Sequence, residues 1–268
     1  MKIGIMQGRL VRPSGNRIQE FPSKLWREEL KIASKLNINL IEWVIDKKSI
    51  KTNPIIKNLD EVIKLTSKND IHVESISDDY FLQEKRNNIL ENKILNHLEK
   101  LFNLVKKIGI SIYVLPFLER TSLKNYTFNN QIDILNKIEP LIPKDLSVCL
   151  ETDLNPKNLE TLIKSLDTKK FSINYDIGNS AFEGYDYLEE FESYFQFIAN
   201  IHVKDRAYQG PTVPLGQGDA NIQAVLKEIK KRGYKKNLIL QAARQDKIED
   251  TTVIETYFKM VNDVICKE

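Results

Sequence analysis

Short apolar runs alternate with longer amphipathic segments along the whole chain. In segment 24–36, apolar residues recur at 25, 26, 30, 32, 33 and 36, which is the spacing of one helix face. Short runs alternating with helical segments predict βα units and a parallel sheet. The predicted strands are 2–6, 39–43, 72–75, 111–115, 147–150, 172–175, 200–203 and 238–240. The predicted helices are 24–36, 55–66, 88–108, 132–142, 158–166, 187–197, 222–232 and 252–265.

The number of these units favours a closed barrel over an open sheet. The pattern holds about eight strands and eight helices, whereas an open doubly wound sheet more often stops at about five to seven strands. The length of 268 residues is close to the roughly 250 that are typical of a (β/α)8 barrel. No Gly/Ser-rich linker divides the chain. We therefore expect an α/β fold, a TIM barrel, as a single domain over residues 1–268.

Composition narrows the class of partners. The 40 basic and 37 acidic residues leave a net charge of only +3, and the lysines alternate with acids, which argues against a nucleic-acid partner. Cys149 and Cys266 show no CxxC spacing, so neither a zinc knuckle nor a disulfide framework is indicated. The first residues resemble a strand rather than a signal peptide, and no stretch approaches about 20 apolar residues. We expect a cytoplasmic protein without a membrane partner.

Polar residues follow the predicted strands. In a TIM barrel these positions meet at one mouth, where active sites are built. In chain order they are Gln7 and Arg9, then Glu42, Trp43 and Asp46, then Asp78, Asp79 and Tyr80, then Pro116 and Glu119, then Glu151, Asp176, His202, Lys204, Asp205, Arg206, Gln241 and Arg244.

Three consecutive strands supply metal-ligand types. Glu151, Asp176 and His202 are far apart in sequence, but in a barrel they converge at one rim. Carboxylate oxygens with one imidazole suit Mn²⁺, Mg²⁺, Co²⁺ or Zn²⁺. The pattern predicts a site for one divalent metal ion, although any barrel carries some acids at its mouth.

Several segments, in their order and strand placement, resemble the xylose-isomerase-like TIM barrel superfamily. They are MKIGIMQGRL, LIEW, VLPFLE, CLETD, NYDIGN, IHVKDR, PLGQGD and LILQAAR. The superfamily includes sugar isomerases and epimerases, inosose dehydratases and DNA-repair enzymes of the endonuclease IV type. The resemblance covers essentially the whole chain and is closest to sugar phosphate isomerase/epimerase-like proteins of bacterial surface-polysaccharide gene clusters. It implies a small sugar or sugar phosphate as substrate and a possible homodimer.

The resemblance also implies a ligand set with one departure. The epimerases hold their metal by Glu, Asp, His and Glu after strands 5 to 8, which map onto Glu151, Asp176, His202 and Gln241. The amide oxygen of Gln241 can coordinate a cation, but it cannot act as a base. The two metal-bound glutamates of the epimerases exchange the substrate proton from opposite faces, so this scheme lacks one base here. Asn179 stands where many epimerases have a histidine that touches the sugar.

The histidine count separates this chain from the endonuclease type. That type needs several metals and many more histidines than the three present here, His72, His97 and His202. His97 lies in a predicted helix, and His72 lies at the start of strand 3, the wrong end for catalysis.

The leading hypothesis is therefore a metal-dependent sugar isomerase or epimerase that transfers a proton next to a carbonyl. Glu151 is the predicted metal ligand and general base, and Lys204 is the predicted proton donor or oxyanion stabiliser. Arginines are expected to bind an anionic group of the substrate by forked hydrogen bonds. The predicted substrate-binding residues are Gln7, Arg9, Glu42, Trp43, Glu119, Asn179, Asp205, Arg206 and Arg244. Among them, Glu42 and Glu119 are possible replacements for the second base.

Other interpretations remain open. The chain could be a dehydratase or lyase on a sugar-like or cyclitol substrate, or a sugar-binding barrel without turnover. Lys204 and Asp205 could form a buried ion pair at the rim, or Asp205 could orient Lys204. Arg9 could pair with Glu42, and Trp43 could belong to the core.

Overall fold

Ten strands and eleven α-helices make up the computed structural model, which describes residues 1–12, 19–82 and 92–266. The strands are β1 (Lys2–Met6), β2 (Leu40–Ile45), β3 (His72–Asp78), β4 (Ile112–Phe117), β5 (Ser147–Thr152), β6 (Phe171–Asp176), β7 (Ile198–Val203), β8 (Asp205–Arg206), β9 (Thr212–Val213) and β10 (Asn237–Leu240). The helices are α1 (Trp26–Lys35), α2 (Pro54–Lys57), α3 (Leu59–Lys68), α4 (Asp79–Leu82), α5 (Asn92–Lys107), α6 (Phe128–Ile138), α7 (Pro156–Lys164), α8 (Ile177–Glu183), α9 (Tyr187–Tyr194), α10 (Ile222–Lys231) and α11 (Asp250–Cys266).

Eight of the strands close into a parallel barrel, in the order β1-β10-β7-β6-β5-β4-β3-β2. From β1 to β7, each barrel strand pairs with the next one along the chain, and β10 closes the barrel by pairing with β7 and β1. Between β7 and β10, the short strands β8 and β9 form a separate antiparallel ladder. This arrangement confirms the predicted α/β TIM barrel. Of the helices in the described residues, none combines the length and the apolar character that a membrane crossing requires.

Local sequence explains where several helices begin. The Asn53 and Asn155 side chains accept hydrogen bonds at the starts of α2 and α7, and Pro54 and Pro156 occupy the first helical position. Proline is tolerated there because its missing N–H has no partner within the helix. The long helices bury one face against the barrel, as α10 does with Val225 and its apolar neighbours.

Some predicted boundaries were wrong. The predicted helix 55–66 is two helices, because Asn58 ends α2 and its side chain caps α3. The predicted helix 132–142 begins earlier, at Phe128, where Thr127 supplies the cap. Residues 88–91 of the predicted helix 88–108 lie outside the described part of the chain. The helix α8 was not predicted, and its start is capped by Asp176 at the end of β6.

Five barrel strands end later than predicted, and in β2 and β3 the difference changes the depth of the side chains. β2 continues to Ile45 and β3 to Asp78, whereas their predicted ends are 43 and 75. Glu42 therefore lies within β2, three residues before its end, and its side chain is completely buried. Alternate residues of a barrel strand point inward, so such a residue lies below the mouth rather than on it.

Candidate metal and substrate site

Glu151, Asp176 and His202 come together at the carboxyl ends of β5, β6 and β7. One ligand atom of each lies within 4.8 Å of those of the other two, and all three side chains are buried. The parallel register places Asp176 opposite His202 on the neighbouring strand. The structure thus brings together the three residues that the sequence predicts as metal ligands.

The two ring nitrogens of His202 face different groups. Nδ1 faces the cluster, 3.2 Å from Glu151 Oε2 and 3.8 Å from Asp176 Oδ2. Nε2 lies 2.7 Å from Glu42 Oε1. Burial alone would lower the pKa of His202, but Glu42 and the two other carboxylates raise it well above its ordinary value. The site therefore carries strong negative potential, which favours cations.

Two asparagines hold the Glu151 carboxylate. Asn174 Nδ2 donates to Oε2 at 2.9 Å, and Asn179 Nδ2 donates to Oε1 at 2.8 Å. Asn174 lies on β6, and Asn179 lies in the first turn of α8. The carboxylate is thereby held in one orientation at the floor of the mouth.

Asp176 combines a structural contact with an ionic one. Its Oδ1 accepts the backbone N–H of Asn179 at 2.9 Å and caps α8. Its Oδ2 lies 2.6 Å from Lys204 Nζ. Burial would raise the pKa of Asp176, but Lys204 and His202 together hold it below its usual range. The carboxylate is therefore ionised at neutral pH.

The position of Gln241 tests whether the donor set fits a metal. Its Nε2 donates to Met6 Sδ at 3.3 Å and to the Gln19 side chain. Its Oε1 is buried without a hydrogen-bond partner among the described residues. Two carboxylates, an imidazole and a free amide oxygen are ligands that hard and borderline divalent ions accept. The residues present therefore fit such an ion.

A cavity of about 360 Å³ opens above this cluster. Its described lining includes the polar residues Gln19, Ser77, Asp79, Glu119, Glu151, Asp153, Asn179, Glu183, Lys204, Arg206 and Gln241. Its apolar lining is Leu82, Pro116, Leu118 and Phe182. A larger hollow of about 620 Å³, lined by Lys2, lies at the opposite end of the barrel, away from the candidate ligands. We assign the functional site to the smaller cavity because Glu151 of the cluster and Gln241 line it.

Arg206 is held over one wall of the cavity. Its guanidinium lies 3.9 Å from the centre of the Phe182 ring, and Nη1 donates to Asn179 Oδ1 at 3.2 Å. Nε and Nη2 donate to the Gly210 carbonyl. Lys204 Nζ donates to the same Asn179 oxygen at 3.0 Å, so two cations converge on one amide. The pair forms a positively charged wall beside the carboxylates.

The structure places several other predicted contact residues away from the cavity. Trp43 is in the core, where Nε1 donates to Asn53 Oδ1 and the ring packs against Phe21 and Trp26. This corrects the prediction of a substrate contact, since β2 extends past Trp43. Glu42 contacts His202 and Asn200 below the site, so its predicted place at the mouth is also corrected.

Asp205 and Arg244 serve neighbouring loops instead of the cavity. Asp205 is fully buried and accepts the backbone N–H groups of Gly216, Gly218 and Ala220. The alternative of a Lys204–Asp205 ion pair is therefore wrong, because Lys204 pairs with Asp176. The Arg244 guanidinium donates to Asp250 and to the Gly8 and Val11 carbonyls in the loop after β1. This corrects its predicted contact with the substrate.

The residues after β1 are buried at the side of the mouth. Gln7 Oε1 accepts the backbone N–H of Val44 at 3.2 Å. Burial, with Arg244 nearby, lowers the pKa of Arg9 to about 10. Neither Gln7 nor Arg9 is among the described residues that line the cavity. Their predicted roles in substrate binding remain predictions.

Two residues near the cluster, Asn174 and Asn200, were not selected from the sequence, whereas Asp79 was placed at the mouth without an assigned role. Asn174 and Asn200 lie two positions before Asp176 and His202, so strand alternation turns them to the same inner side of the barrel. That spacing is the signal that identifies them. Asp79 follows β3 and lines the cavity, but nothing in the sequence distinguishes it from Asp78.

A family model described as xylose isomerase-like TIM barrel matches residues 30–256. The chain belongs to this family. A curated relative, the uncharacterized protein MJ1311 of Methanocaldococcus jannaschii, is 24% identical over 119 residues. That match spans 43% of this chain and only 41% of the relative.

Solved structures of low sequence identity share the fold. The IOLI protein, solved with a zinc atom, matches with a TM-score of 0.75 and 18% identity over 100% of this chain and 99% of that one. The apo form of 3-keto-D-glucoside 4-epimerase, YcjR, from E. coli matches with a TM-score of 0.71 and 14% identity over 98% and 99%.

Proposed function

We propose that this protein is a divalent-metal-dependent isomerase or epimerase that acts on a sugar or sugar phosphate. The observation that carries the proposal is the buried cluster of Glu151, Asp176 and His202 at the floor of a cavity lined by Lys204. Family membership supports the class. So do the zinc in the IOLI structure and the epimerase activity in the name of YcjR.

The metal would be held by Glu151, Asp176, His202 Nδ1 and the free Oε1 of Gln241. When bound, it would polarise a substrate carbonyl and stabilise the negative charge that develops on its oxygen. Two asparagine amides donate to the Glu151 oxygens and hold the carboxylate in one orientation.

Glu151 takes the proton from the carbon next to the carbonyl in this proposal. Its side chain lines the cavity, and the amides of Asn174 and Asn179 fix its direction. A base in a fixed direction needs little reorganisation before proton transfer. In an isomerisation or epimerisation, the proton is then returned to carbon.

Lys204 supplies a proton or a positive charge to the substrate oxygen. Its ammonium lies between Asp176 and Asn179 at the cavity wall, and Arg206 lies beside it. Such cations stabilise a developing oxyanion and bind a phosphate or carboxylate of the substrate. The positive charge of this wall would favour a sugar that carries a phosphate or a carboxylate.

A dehydratase or lyase is the second candidate, and Gln241 is the observation that favours it. An amide at this position cannot exchange a proton with the second face of the substrate. Elimination needs one base for the C–H bond and one acid for the leaving hydroxyl, which Glu151 and Lys204 could provide. The two candidates predict different products from the same site.

Metal analysis with solvent-deuterium exchange tests the proposal. The purified protein should hold about one divalent ion per chain and incorporate deuterium into a sugar phosphate from a panel. Glu151→Ala should lose exchange and most of the metal, whereas the matched surface variant Glu160→Ala should keep both. A protein that binds no divalent ion contradicts the proposal. An unsaturated product without deuterium in recovered substrate supports the dehydratase.

A further inference from the structure

A chain of buried polar side chains lies directly beneath the ligand cluster. It runs from Glu42 on β2 to Asn200 on β7, then to Asn174 on β6 and Glu151 on β5. Glu42 and Asn200 have no solvent exposure, and Asn174 is 3% exposed. The barrel centre, which is often filled by branched apolar residues, is hydrogen-bonded here.

Both carboxylate oxygens of Glu42 make contacts inside this layer. Oε1 lies 2.7 Å from His202 Nε2, and Oε2 accepts from Asn200 Nδ2 at 2.8 Å. A carboxylate on Nε2 holds a proton on that nitrogen, so the lone pair that the ring would offer to a cation is the one on Nδ1. Nδ1 is the nitrogen that faces Glu151 and Asp176.

The asparagines extend the same control to a second ligand. Asn200 Nδ2 also donates to Asn174 Oδ1 at 2.9 Å, which orients the Asn174 amide. With its oxygen engaged, Asn174 directs its Nδ2 to Glu151 Oε2 at 2.9 Å. One carboxylate below the site therefore sets the directions of His202 and Glu151 above it.

Stability alone does not account for this layer. Removing a carboxylate from water is costly, and a buried ion pair can often be replaced by apolar residues of similar volume without loss of stability. A buried Glu–His–Asn network is therefore better explained by the direction it gives to its members than by net stabilisation.

We propose that Glu42 is a positioning residue of the metal site. It fixes the ring nitrogen that His202 offers to a hard or borderline divalent cation and, through Asn200 and Asn174, the direction of Glu151. This inference rests on the metal site of the proposed function.

The test is calorimetric titration of metal-free protein with Mn²⁺. Glu42→Gln should weaken binding about 10- to 100-fold, the usual effect of losing a carboxylate behind a histidine ligand. Asn200→Ser, which keeps the Glu42–His202 contact, should weaken binding by a smaller factor. The matched control is Glu29→Gln, which should leave the Mn²⁺ affinity unchanged. Glu29 is a fully buried glutamate that binds the backbone of Gly8 and Leu10, and burial raises its pKa to about 7.

Cobalt spectra add a readout that a merely structural role would not change. In folded Glu42→Gln, the visible Co²⁺ bands should shift, because the imidazole no longer approaches in one orientation. Wild-type affinity and an unchanged Co²⁺ spectrum in a folded Glu42→Gln variant would falsify the inference and leave the proposed function standing. If Glu42→Gln does not fold, Asn200→Ser decides by its Mn²⁺ affinity, and binding as tight as that of wild type would overturn the inference. A wild-type protein that binds no metal instead removes the proposed function.

Discussion

Lys204 Nζ lies 2.6 Å from Asp176 Oδ2, so a cationic side chain contacts one of the candidate metal ligands. The same ammonium donates to Asn179 Oδ1. The Lys204 side chain is only 12% exposed, so water screens this charge weakly. Lys204 therefore offsets part of the negative charge around Asp176, and it places an ammonium group at the cavity wall.

Replacing Lys204 should separate metal binding from turnover. Lys204→Met removes a positive charge next to Asp176, so we expect Mn²⁺ to bind about 3- to 10-fold more tightly, an effect on the order of 1 kcal/mol. Turnover should fall at least about 100-fold, because the proton donor is lost. Titration calorimetry and deuterium exchange measure the two effects. The control is Lys164→Met, an exposed lysine paired with Glu160; weaker metal binding in Lys204→Met would contradict the argument.

Gln241→Glu should restore the carboxylate that the family resemblance predicts at this position. Because Gln241 Oε1 has no hydrogen-bond partner among the described residues, one carboxylate oxygen can occupy its place, whereas the other loses the hydrogen bonds that Nε2 donates to Met6 and Gln19. The added charge should strengthen metal binding about 10-fold or more. It should also supply a second base, so deuterium exchange of an epimerisable sugar should increase.

A matched amide variant provides the control for Gln241→Glu. Gln131→Glu changes another buried glutamine, on α6, whose amide donates to the carbonyls of Leu123 and Tyr126. That variant should leave metal affinity unchanged, although it loses stability. Equal metal affinity in Gln241→Glu and wild type would exclude Gln241 from the ligand set.

Sequence periodicity predicted the barrel because each βα unit carries its own apolar pattern. Glu151, Asp176 and His202 were predictable as a cluster, since each lies at the end of a strand or one residue before it, and parallel strands end at one mouth. The role of Glu42 was not predictable. Its contact with Asn200 joins residues that are 158 positions apart, on strands that are not neighbours, and only closure of the barrel brings them together.

The hydrophobic pattern of the sequence also left undefined how far below the barrel mouth a side chain lies. Val44 and Ile45 extend β2, but an apolar run does not show which of its residues is the last in the strand. The difference of two residues moved Glu42 from the mouth to the interior. Similarly, Asp205 is polar and follows β7, yet it turns away to bind loop amides.

Asp79 should make stability depend on pH. Burial raises its pKa to about 7, an effect that the Ser77 hydroxyl opposes and that Glu151 and Asp78 reinforce. An unfolded aspartate titrates near about 4, so the folded state holds more protons between about pH 4 and 7. Folding stability from this group therefore falls as the pH rises through that window, and it stays low above it.

Asp79→Asn removes this dependence in metal-free protein. The variant should gain stability relative to wild type between about pH 4 and 7, and above pH 7 the gain should be constant, with a melting temperature several degrees higher. Thermal unfolding at a series of pH values measures it. Asp60→Asn, in the first turn of the surface helix α3, is the control and should show no such trend. A constant difference across the range would contradict the assignment.

Asp205 should be essential for the loop that follows β8 and β9, and hence for the shape of the mouth. Its Oδ2 accepts the N–H groups of Gly216 and Gly218 at 2.8 and 3.1 Å, and its Oδ1 accepts that of Ala220 at 3.2 Å. A Cβ on Gly218 would lie 2.3 Å from Asp205 Oδ1, so the loop packs closely on the carboxylate. Hydrogen bonds to a buried charge contribute about 1.5 to 3 kcal/mol each and do not add fully.

Asp205→Asn keeps the size of the side chain but turns an amide NH₂ toward backbone donors. We expect a loss of about 3 kcal/mol, which corresponds to a melting temperature roughly 6 to 12 °C lower for a chain of this size. Asp219→Asn is the matched control in the same loop, because Asp219 is exposed and accepts one backbone N–H, from Tyr208. It should lower the melting temperature by about 2 °C. Equal melting temperatures for the two variants would show that the buried carboxylate does not hold the loop.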